Sequence, residues 1–378
     1  MDTGGGGGNA NSKSPESYDG LHLDQQHHHN HHLFERVRSI GLLFGIIVVT
    51  CYMLYPSAYP FQFSPHSSYN QDKGGVKLEK ILEKVAMADK TVIITTLNGA
   101  WAAPNSIFDV FLESFRIGNE TSRFLSHLVV IAVDHYAYDR CLALHPHCYA
   151  LSTTGLDFSG EASYMTSTYL EIVWRKIDLL HSVLKMGYSF IFTDADIMWF
   201  RNPFLHFYLD DDFQTACDFF WGNTSDLENQ ANTGFHYVKS NERTIKLYKF
   251  WYTSRKTYPG LHDQHVLNKI KFDSFVTTNI GVKIRFLDTA YFGGFCQPSK
   301  DLNQVCTMHA NCCMGLGSKV HELKVMLDNW RKFLSLPTDV RASQPTSWAE
   351  PKSCSIKSFH LPRSPKKKVQ QGSNNGGS

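Results

Sequence analysis

Two aspartates separated by one residue follow an apolar run near the middle of the sequence. Residues 189–193 have the length and composition of a buried strand, and Asp194-Ala-Asp196 comes directly after it. Two carboxylates delivered by a rigid element are hard oxygen ligands that suit Mg²⁺ or Mn²⁺. Acidic pairs after strands also occur as turn residues or helix caps, so the pair by itself leaves that alternative open.

The segments around the acidic pair alternate between strand-like and helix-like patterns. Residues 91–95 and 128–133 are rich in β-branched side chains, whereas residues 107–117 and 170–186 have the character of helices. Gly187 ends the second helix just before the strand that precedes the acidic pair. This alternation predicts an α/β domain with βαβ connections. Ligands of open α/β sheets bind beyond the carboxyl ends of the strands, which is where the acidic pair lies.

The acidic pair belongs to a longer block that resembles the plant nucleotide-diphospho-sugar transferase family, retaining glycosyltransferases of the GT-A type. Matching blocks occur in the family's order over residues 85–335. They are Thr95-Thr-Leu-Asn-Gly-Ala-Trp101, Phe192-Thr-Asp-Ala-Asp-Ile-Met-Trp-Phe-Arg-Asn-Pro203, Asn232-Thr-Gly-Phe-His-Tyr-Val238, His262-Asp-Gln-His-Val-Leu-Asn268 and Cys306-Thr-Met-His-Ala-Asn-Cys-Cys313. Gly99 stands where relatives often carry an acid, a departure that touches local geometry rather than the metal site. The resemblance implies a GT-A type, Rossmann-like α/β domain with a mixed, mainly parallel sheet, which binds a nucleotide-sugar donor.

The resemblance also implies that Asp194 and Asp196 share a metal with His309, from a late segment of the chain. Without the family pattern, a lone histidine beside cysteines is more often structural. Neutral imidazole accommodates Mn²⁺ better than Mg²⁺, so a histidine beside two carboxylates favours manganese, with magnesium as the alternative. The metal would bridge the donor's diphosphate and assist its departure as a Lewis acid.

Polar side chains at the ends of the first two strands are candidates for holding the nucleotide, and cations near the acidic pair for offsetting phosphate charge. The predicted nucleotide contacts are Thr95, Thr96, Asn98, Asp134, Arg175, Lys176 and Lys319. Arg175 and Lys176 are alternatives to each other for the same role. Turn capping by the strand-end residues and ordinary solvated helix charges are the competing interpretations.

Asp263-Gln264 resembles the Asp-Gln pair that retaining GT-A enzymes place on the reacting face of the donor sugar. Because glutamine is a poor nucleophile, a front-face route, in which the leaving phosphate helps to deprotonate the acceptor, fits better than a covalent intermediate. Asp263 could instead cap a helix over residues 264–270. The predicted sugar or acceptor contacts are Asn232, Trp101 and Trp199. The tryptophans offer flat apolar faces to a sugar ring, although aromatic residues near strand ends are more often core.

An uncharged apolar run of 17 residues, residues 39–55, is long enough for a short membrane-spanning helix. Arg36 and Arg38 flank it on the N-terminal side, so the positive-inside rule places the N-terminus in the cytosol and the C-terminal domain in the lumen. A cleaved signal peptide is the alternative, but about 38 polar residues precede the run, more than an ordinary signal peptide carries. We expect a single-pass type II protein of the Golgi membrane.

The chain therefore divides into five predicted segments. They are a disordered cytosolic tail (1–38), a transmembrane signal anchor (39–55), a stem (56–84), the glycosyltransferase domain (85–335) and a C-terminal extension with a disordered end (336–378). Two sequons, at Asn119 and Asn223, fit a lumenal location and would mark surface loops.

Nine cysteines bear on the compartment. Cys51 lies in the apolar run, and the eight downstream cysteines form an even number that suits disulfides in an oxidising lumen. The expected bridging residues are the close pair Cys141 and Cys148 and the group Cys296, Cys306, Cys312 and Cys313. A zinc site is the alternative, although no paired C-x-x-C spacing is present.

Charge and motifs together define the expected function. With 37 basic and 35 acidic residues, the formal charge of +2 gives no field suited to nucleic acid. The resemblance implies a retaining, metal-dependent transferase that moves a sugar from a UDP-sugar to a cell-wall polysaccharide or glycoprotein, with other Golgi glycosyltransferases as candidate partners. A non-catalytic lumenal protein that binds glycans or scaffolds other transferases is the alternative. A phosphate-ester hydrolase would need more ligands for a second metal.

Overall fold

The computed structural model describes residues 77–151, 160, 164–343, 346–349 and 351–354. Its strands, in chain order, are β1 (Thr91–Leu97), β2 (Leu128–Ala132), β3 (Cys148–Ala150), β4 (Ser189–Thr193), β5 (Ile197–Trp199), β6 (Phe213–Phe219), β7 (Gln230–Val238), β8 (Ile284–Phe286), β9 (Phe292–Gly294) and β10 (Thr307–His309). The main sheet has the order β3-β2-β1-β4-β7-β6-β8. Strand β7 runs antiparallel to β4 and β6, and the other pairs are parallel. The predicted α/β class with a mixed, mainly parallel sheet is confirmed.

The helices cover the sheet and connect its strands. In chain order they are α1 (Leu78–Val85), α2 (Gly99–Ala102), α3 (Ile107–Ile117), α4 (His135–Leu144), α5 (Ser167–Lys185), α6 (Glu242–Ser254), α7 (Asp263–Ile270), α8 (Leu316–Ser335) and α9 (Thr338–Ser343). Short 3₁₀ segments, Ser122–His127 and Pro203–His206, and a π-helical turn, Phe275–Ile280, lie in the connections. Helices α3 and α5 are the two helices predicted from the sequence, and Gly187 follows α5 with a φ of 83° that suits glycine.

Both faces of the main sheet are buried. Along β1, Ile93 and Leu97 pack into the apolar layer on one face, whereas Val92 and Ile94 pack into the layer on the other. Successive side chains of a strand point to opposite faces, so apolar residues on both sides of β1 show that both faces of the sheet are covered. The polar residues that follow β1 and β4 therefore start from a rigid base.

The small sheet has the order β5-β10-β9 and brings a late segment to the acidic pair. Strand β10 pairs antiparallel with β5, so that His309 lies opposite Ile197, the residue after Asp196. The N–H of Ala310 donates to the carbonyl oxygen of Asp196 at 3.0 Å. This register fixes His309 beside the acidic pair through backbone pairing.

Three disulfides join cysteines of the described residues: Cys141–Cys148, Cys296–Cys312 and Cys313–Cys354. The first confirms the predicted close pair. The prediction that Cys306 forms a bridge is wrong, because Cys306 is a buried free thiol, as is Cys217. Cys313 pairs instead with a cysteine 41 residues away, a partner that local spacing does not reveal.

The N-terminal boundary of the folded part lies earlier than the sequence suggested. Helix α1 buries Leu78, Leu82 and Val85 in the apolar layer, so that its first turns fall within the predicted stem (56–84). Within the described part of the chain, no helix has the length and apolarity needed to cross a membrane. The predicted anchor at residues 39–55 lies outside the described residues.

Candidate active site

A cavity of about 520 Å³ opens at the carboxyl ends of β1 and β4. Separate stretches of the chain contribute to its wall, including Thr96, Asp194, Asp218, Asp263 and Lys319. This is the edge of the sheet at which ligands of open α/β folds bind. The cavity therefore lies where the sequence predicted chemistry.

Asp194, Asp196 and His309 converge at the floor of this cavity. One ligand atom from each side chain lies within 4.8 Å of the other two. His309 Nε2 is 3.1 Å from Asp196 Oδ1 and 4.0 Å from Asp194 Oδ2. The side chain of Asp194 is 31% exposed, whereas that of Asp196 is 1% exposed. The group therefore has one partly exposed carboxylate and one that is almost fully buried.

Gly234 on β7 makes this close approach sterically feasible. A Cβ at this position would lie 2.6 Å from His309 Cε1 and 2.7 Å from Asp194 Oδ2. The N–H of Asp194 also donates to the carbonyl oxygen of Gly234 at 2.7 Å. Any larger residue at 234 would displace two of the three converging side chains.

The donor atoms fit a divalent metal ion. Although Asp196 Oδ1 faces His309 Nε2, it accepts no hydrogen bond of normal geometry from the described residues. Buried oxygens usually have a partner, so an open one beside a second carboxylate and an imidazole indicates a shared ligand. Two carboxylates and one imidazole suit Mn²⁺, with Mg²⁺ as the harder alternative.

The charges of the group are only partly balanced. Burial raises the pKa of Asp194 to about 6, with Lys176 lowering it and Asp196 adding to the rise. Burial also opposes ionisation of Asp196, but Lys319, whose Nζ lies 2.5 Å from Asp196 Oδ2, and His309 hold its pKa below the usual range. Lys176 is paired with Asp263, so Lys319 is the ammonium group that contacts the acidic pair among the described residues, and a divalent cation would balance the remaining negative charge.

Asp263 lines the same cavity and has partners on both oxygens. Its Oδ2 pairs with Lys176 Nζ at 2.7 Å and accepts from Thr233 Oγ1 at 3.2 Å. Its Oδ1 lies 3.3 Å from His262 Nδ1, and Trp251 Nε1 donates to its backbone carbonyl at 2.9 Å. Burial opposes ionisation, but Lys176 and His262 hold the pKa of Asp263 below its usual range. The carboxylate is a fixed, charged part of the wall.

The alternative in which Asp263 only caps a helix does not describe the structure. Helix α7 begins at Asp263 itself, His262 occupies the cap position, and no side chain forms a cap hydrogen bond there. Lys176, a predicted phosphate contact, is 7% exposed and directs its ammonium group to Asp263. Lys176 thus lines the cavity as the partner of a carboxylate.

Asp218, near the end of β6, holds three amide side chains around the cavity. It accepts from Asn232 Nδ2 at 2.7 Å, from Gln264 Nε2 at 2.7 Å and from Asn311 Nδ2 at 2.8 Å. Gln264 Oε1 in turn accepts from the N–H of Thr233 at 3.2 Å, so both ends of this amide are fixed. Sequence reasoning missed Asp218, which lies in no recognised block, and Asn311, which lies in one but was not singled out.

The other predicted nucleotide contacts that line the cavity are Thr96, Asn98 and Lys319. Asn98 caps α2 by accepting from the N–H of Trp101 at 3.1 Å. Lys319 lies between the acidic pair and the ring of Trp101, whose centroid is 5.5 Å from its Nζ. The end of β1 and the start of α8 therefore face the metal group from two sides.

Three predicted nucleotide contacts lie outside this lining. Thr95 is fully buried, because its side chain points to the other face of β1 from Thr96. Asp134 caps α4, accepting from the N–H of Ala137 at 2.8 Å, which is the competing interpretation given above. Arg175 pairs with Glu171 at 2.7 Å on α5. Of the two neighbouring cations on this helix, Lys176 is the one that reaches the cavity.

The two predicted tryptophan contacts have different environments. Trp101 lines the cavity. Trp199 is fully buried, stacks on Phe115 with ring centroids 4.6 Å apart, and donates Nε1 to Thr193 Oγ1 at 3.2 Å. The prediction that Trp199 contacts a sugar is wrong, because β5 directs this ring into the core.

The two predicted glycosylation sites lie at the surface. The sequon asparagines Asn119 and Asn223 are both exposed.

Three aromatic side chains that sequence reasoning passed over also line the cavity: Tyr164, Tyr169 and His262. His262 lies in a block that resembles the family, whereas the tyrosines gave no signal in the sequence.

Residues 123–323 match the family described as nucleotide-diphospho-sugar transferase. The match spans more than half of the chain and includes the acidic pair, Asp263 and His309. All of the metal group therefore lies inside the matched region.

Proteins with similar sequences include two from Arabidopsis thaliana and one from Dictyostelium discoideum. The uncharacterized protein At4g15970 of Arabidopsis thaliana is 48% identical over 279 residues, 74% of this chain and 73% of that protein. The uncharacterized protein At1g28695 of the same plant is 39% identical over 264 residues, 68% of this chain and 78% of that protein. The UDP-galactose:fucoside alpha-3-galactosyltransferase of Dictyostelium discoideum is 42% identical over 100 residues, 24% of this chain and 15% of that protein. This chain belongs to the nucleotide-diphospho-sugar transferase family and is an enzyme of the glycosyltransferase class.

Proposed function

We propose that this chain is a metal-dependent, retaining glycosyltransferase that moves a sugar from a UDP-sugar to a cell-wall polysaccharide or a glycoprotein. The observation that carries the proposal is the convergence of Asp194, Asp196 and His309 at the floor of the cavity. A divalent ion held by hard ligands recruits the oxygens of a diphosphate. The metal group and the size of the cavity both favour a nucleotide-sugar as the ligand.

A bound metal and the side chains around it would have separate roles in binding the donor. A bound Mn²⁺, or Mg²⁺ in its place, would stabilise the departing diphosphate as a Lewis acid. Lys319, at the metal group, offers a positive charge beside the same phosphates. Thr96 and Asn98, at the end of β1, present short polar groups to the base and ribose.

The carboxylates of the cavity support a front-face route with retention. A double displacement would need a carboxylate that can leave its partners to attack the anomeric carbon. Asp263 pairs with Lys176, Asp218 holds three amides, and the acidic pair belongs to the metal group. Among the described lining residues, each carboxylate is therefore already engaged. Gln264 is a weak nucleophile, so the leaving phosphate is the base that best fits deprotonation of the acceptor.

The donor, the acceptor and the location are proposed from a relative, the sequence and the disulfides as well as from the geometry of the cavity. The name of the Dictyostelium relative specifies UDP-galactose, which supports a UDP-sugar donor. The apolar run at 39–55 and the arginines before it support a type II anchor with a lumenal enzyme. Three disulfides suit the oxidising lumen of the secretory pathway. We therefore propose the Golgi membrane as the location, with glycans or glycoproteins as acceptors.

Release of UDP from a panel of UDP-sugars, measured with and without Mn²⁺, tests the proposal. The double variant Asp194→Asn plus Asp196→Asn should lose more than about 100-fold in rate, since loss of an outer-shell partner alone costs that much at metal sites. Asp226→Asn plus Glu228→Gln is a matched control with the same spacing and charge change. Those two residues contact each other in a surface turn and should leave the rate unchanged.

A negative result would favour a different class of function. If the wild type neither releases UDP nor binds it in the presence of Mn²⁺, the catalytic proposal is wrong. The chain would then be better described as a lumenal protein that binds glycans or scaffolds other transferases.

A further inference from the structure

A chain of hydrogen bonds leads from Asp263 to a tyrosine at the mouth of the cavity. Asp263 Oδ1 lies 3.3 Å from His262 Nδ1, and His262 Nε2 lies 3.0 Å from the hydroxyl oxygen of Tyr164. His262 is 4% exposed, whereas Tyr164 is 48% exposed. A buried Asp–His pair therefore ends in a side chain that a ligand can reach.

The direction of each hydrogen bond follows from the charge of Asp263. Because Lys176 and His262 hold its pKa below the usual range, its carboxylate is ionised and can only accept. The tautomer with its proton on Nδ1 donates to this carboxylate, and in that tautomer Nε2 has a lone pair that can accept. The Tyr164 hydroxyl donates its proton to His262, so the lone pairs of its oxygen remain for a ligand.

The ring of Tyr164 is held by aromatic neighbours. Its centroid lies 5.4 Å from that of Tyr169 and 5.4 Å from that of His262, both in edge-to-face contact. Tyr169 and His262 also meet edge to face, with centroids 6.1 Å apart. An ordered ring that stays half exposed beside a cavity offers a flat apolar surface against which a sugar ring can pack.

We propose that Tyr164 recognises the acceptor and that the acceptor is a sugar. The sugar ring packs against Tyr164, and one of its hydroxyl groups donates to the Tyr164 oxygen. This inference rests on the proposed transferase function and specifies its acceptor class. The hydroxyl recognised by Tyr164 is not the reacting one, whose proton goes to the leaving phosphate; the bond from Tyr164 to His262 leaves the tyrosine oxygen able to accept from it. His262 is a positioning residue that acts through Tyr164.

The position of Tyr164 favours the acceptor over the donor. The metal group marks the place of the diphosphate, and its side chains are 1% (Asp196), 12% (His309) and 31% (Asp194) exposed, against 48% for Tyr164. Tyr164 lies two hydrogen bonds beyond Asp263, toward solvent. The greater exposure of Tyr164 suits contact with a second substrate that enters from solvent.

Saturation-transfer NMR with methyl glycosides of galactose, xylose, arabinose and fucose tests the proposal on the full-length protein, with and without UDP and Mg²⁺. At least one glycoside should receive saturation at its ring protons from the wild type. Tyr164→Phe keeps the ring and should raise the Kd about three- to tenfold, the effect of one neutral hydrogen bond. Tyr164→Ala should abolish the signal. Tyr208→Phe, at a tyrosine outside the cavity that is 40% exposed, is the matched control and should change nothing.

A double-mutant cycle separates positioning from a general structural effect. His262→Phe removes the acceptor for the Tyr164 hydroxyl and should raise the glycoside Kd as much as Tyr164→Phe does. If His262 acts through Tyr164, the double variant binds no more weakly than either single variant. His262→Gln, whose amide oxygen can still accept from Tyr164, should restore binding. Additive losses would overturn the positioning role.

UDP affinity, measured on the same samples, keeps this inference apart from the proposed function. Failure of the wild type to bind UDP would contradict the transferase, while glycoside binding without UDP would still decide the role of Tyr164. Equal glycoside affinity in wild type, Tyr164→Phe and Tyr164→Ala would overturn the inference. Two other results would do the same: no glycoside binding by the wild type, or a loss of UDP affinity in Tyr164→Phe as large as the loss of glycoside affinity.

Discussion

Asp263 and Asp196 are buried to nearly the same extent, at 2% and 1% exposure, yet their surroundings differ. Asp263 has an ion-pair or hydrogen-bond partner on each oxygen, from Lys176, Thr233 and His262. A buried charge with its partners in place is held rigidly, and removal of one partner is costly. Asp263 therefore serves as a fixed wall of the cavity.

Asp196 is only half satisfied. Lys319 binds one of its oxygens, while the other faces His309 without a hydrogen bond of normal geometry. Gly234 leaves room for Asp194 to join them. The comparison teaches that burial of an acid does not reveal its role, whereas the completeness of its partners does. An open oxygen marks the binding group, and a satisfied one marks the scaffold.

The largest effect on stability is expected at the satisfied acid. Asp263→Asn should lower the free energy of unfolding by about 3–5 kcal/mol, because Lys176 is left buried without its carboxylate. Urea denaturation measures the change. The double variant Asp263→Asn plus Lys176→Met should recover most of the loss. A single variant as stable as the wild type would show that Asp263 is not held as a wall.

The same variant makes a prediction for acid unfolding. The folded-state pKa of Asp263 lies below that of the unfolded chain, which is about 3.9. Its contribution is therefore complete at neutral pH and is lost as the pH falls below about 4 toward the folded-state value. Stability curves measured between neutral pH and acid should be flatter for Asp263→Asn. Parallel curves for the two proteins would contradict the low pKa.

A side chain that fills the space at Gly234 should weaken metal binding. Gly234→Ala would place a methyl group 2.6 Å from His309 Cε1 and 2.7 Å from Asp194 Oδ2, and metal affinity should fall about 10- to 100-fold. Calorimetric titration with Mn²⁺ measures it. Gly317→Ala, where a Cβ meets nothing within 4 Å in α8, is the matched control and should leave the affinity unchanged. Equal affinities of Gly234→Ala and the control would count against the site.

Removal of the Lys319 ammonium group should make Asp196 a better metal ligand and so increase its difference from Asp263. Lys319 competes with a metal for Asp196, so Lys319→Met should raise Mn²⁺ affinity about tenfold in the absence of nucleotide, the effect of one charge-assisted hydrogen bond. The same change should weaken UDP binding, because a phosphate partner is lost. Lys319→Arg keeps the charge and should lie close to the wild type. Unchanged Mn²⁺ affinity in Lys319→Met would mean that the ammonium does not compete.

The smallest effect is expected for a single neutral contact of the wall. Thr233→Val removes the hydroxyl that donates to Asp263 and should lower stability by about 0.5–1.5 kcal/mol. Mn²⁺ affinity should not change, since the metal group keeps all its side chains. A change in Mn²⁺ affinity as large as that of Gly234→Ala would contradict the separation of the Asp263 wall from the metal group.

Much of the fold was predictable because its signals are local. The periodicity of residues 107–117 and 170–186 and the apolar run before Asp194 each depend on neighbours in sequence, and the structure has helices and a strand there. His309 came from the resemblance to the family. Its place beside the acidic pair depends on the pairing of β10 with β5, which periodicity does not show.

The remaining features depend on side-chain direction and distant pairing. Trp199 and Thr95 follow the alternation of their strands into the core, so a motif that contains them does not reveal which face they occupy. Asp218 joins side chains from three separate elements, and Cys354 pairs across a long stretch of chain. Such contacts are set by tertiary packing, and spacing alone carries no information about them.

The central claim is that the open oxygen of Asp196 belongs to a divalent-metal site. Titration of the full-length protein with Mn²⁺ in the presence of UDP tests it most directly, with Asp194→Asn plus Asp196→Asn as the comparison and Asp226→Asn plus Glu228→Gln as the control. The histidine tract at residues 27–32 is common to all three proteins, so its contribution cancels. The structure predicts one Mn²⁺ site in the wild type and the control that is lost in the comparison variant. Identical isotherms for all three proteins would contradict the assignment of the metal site.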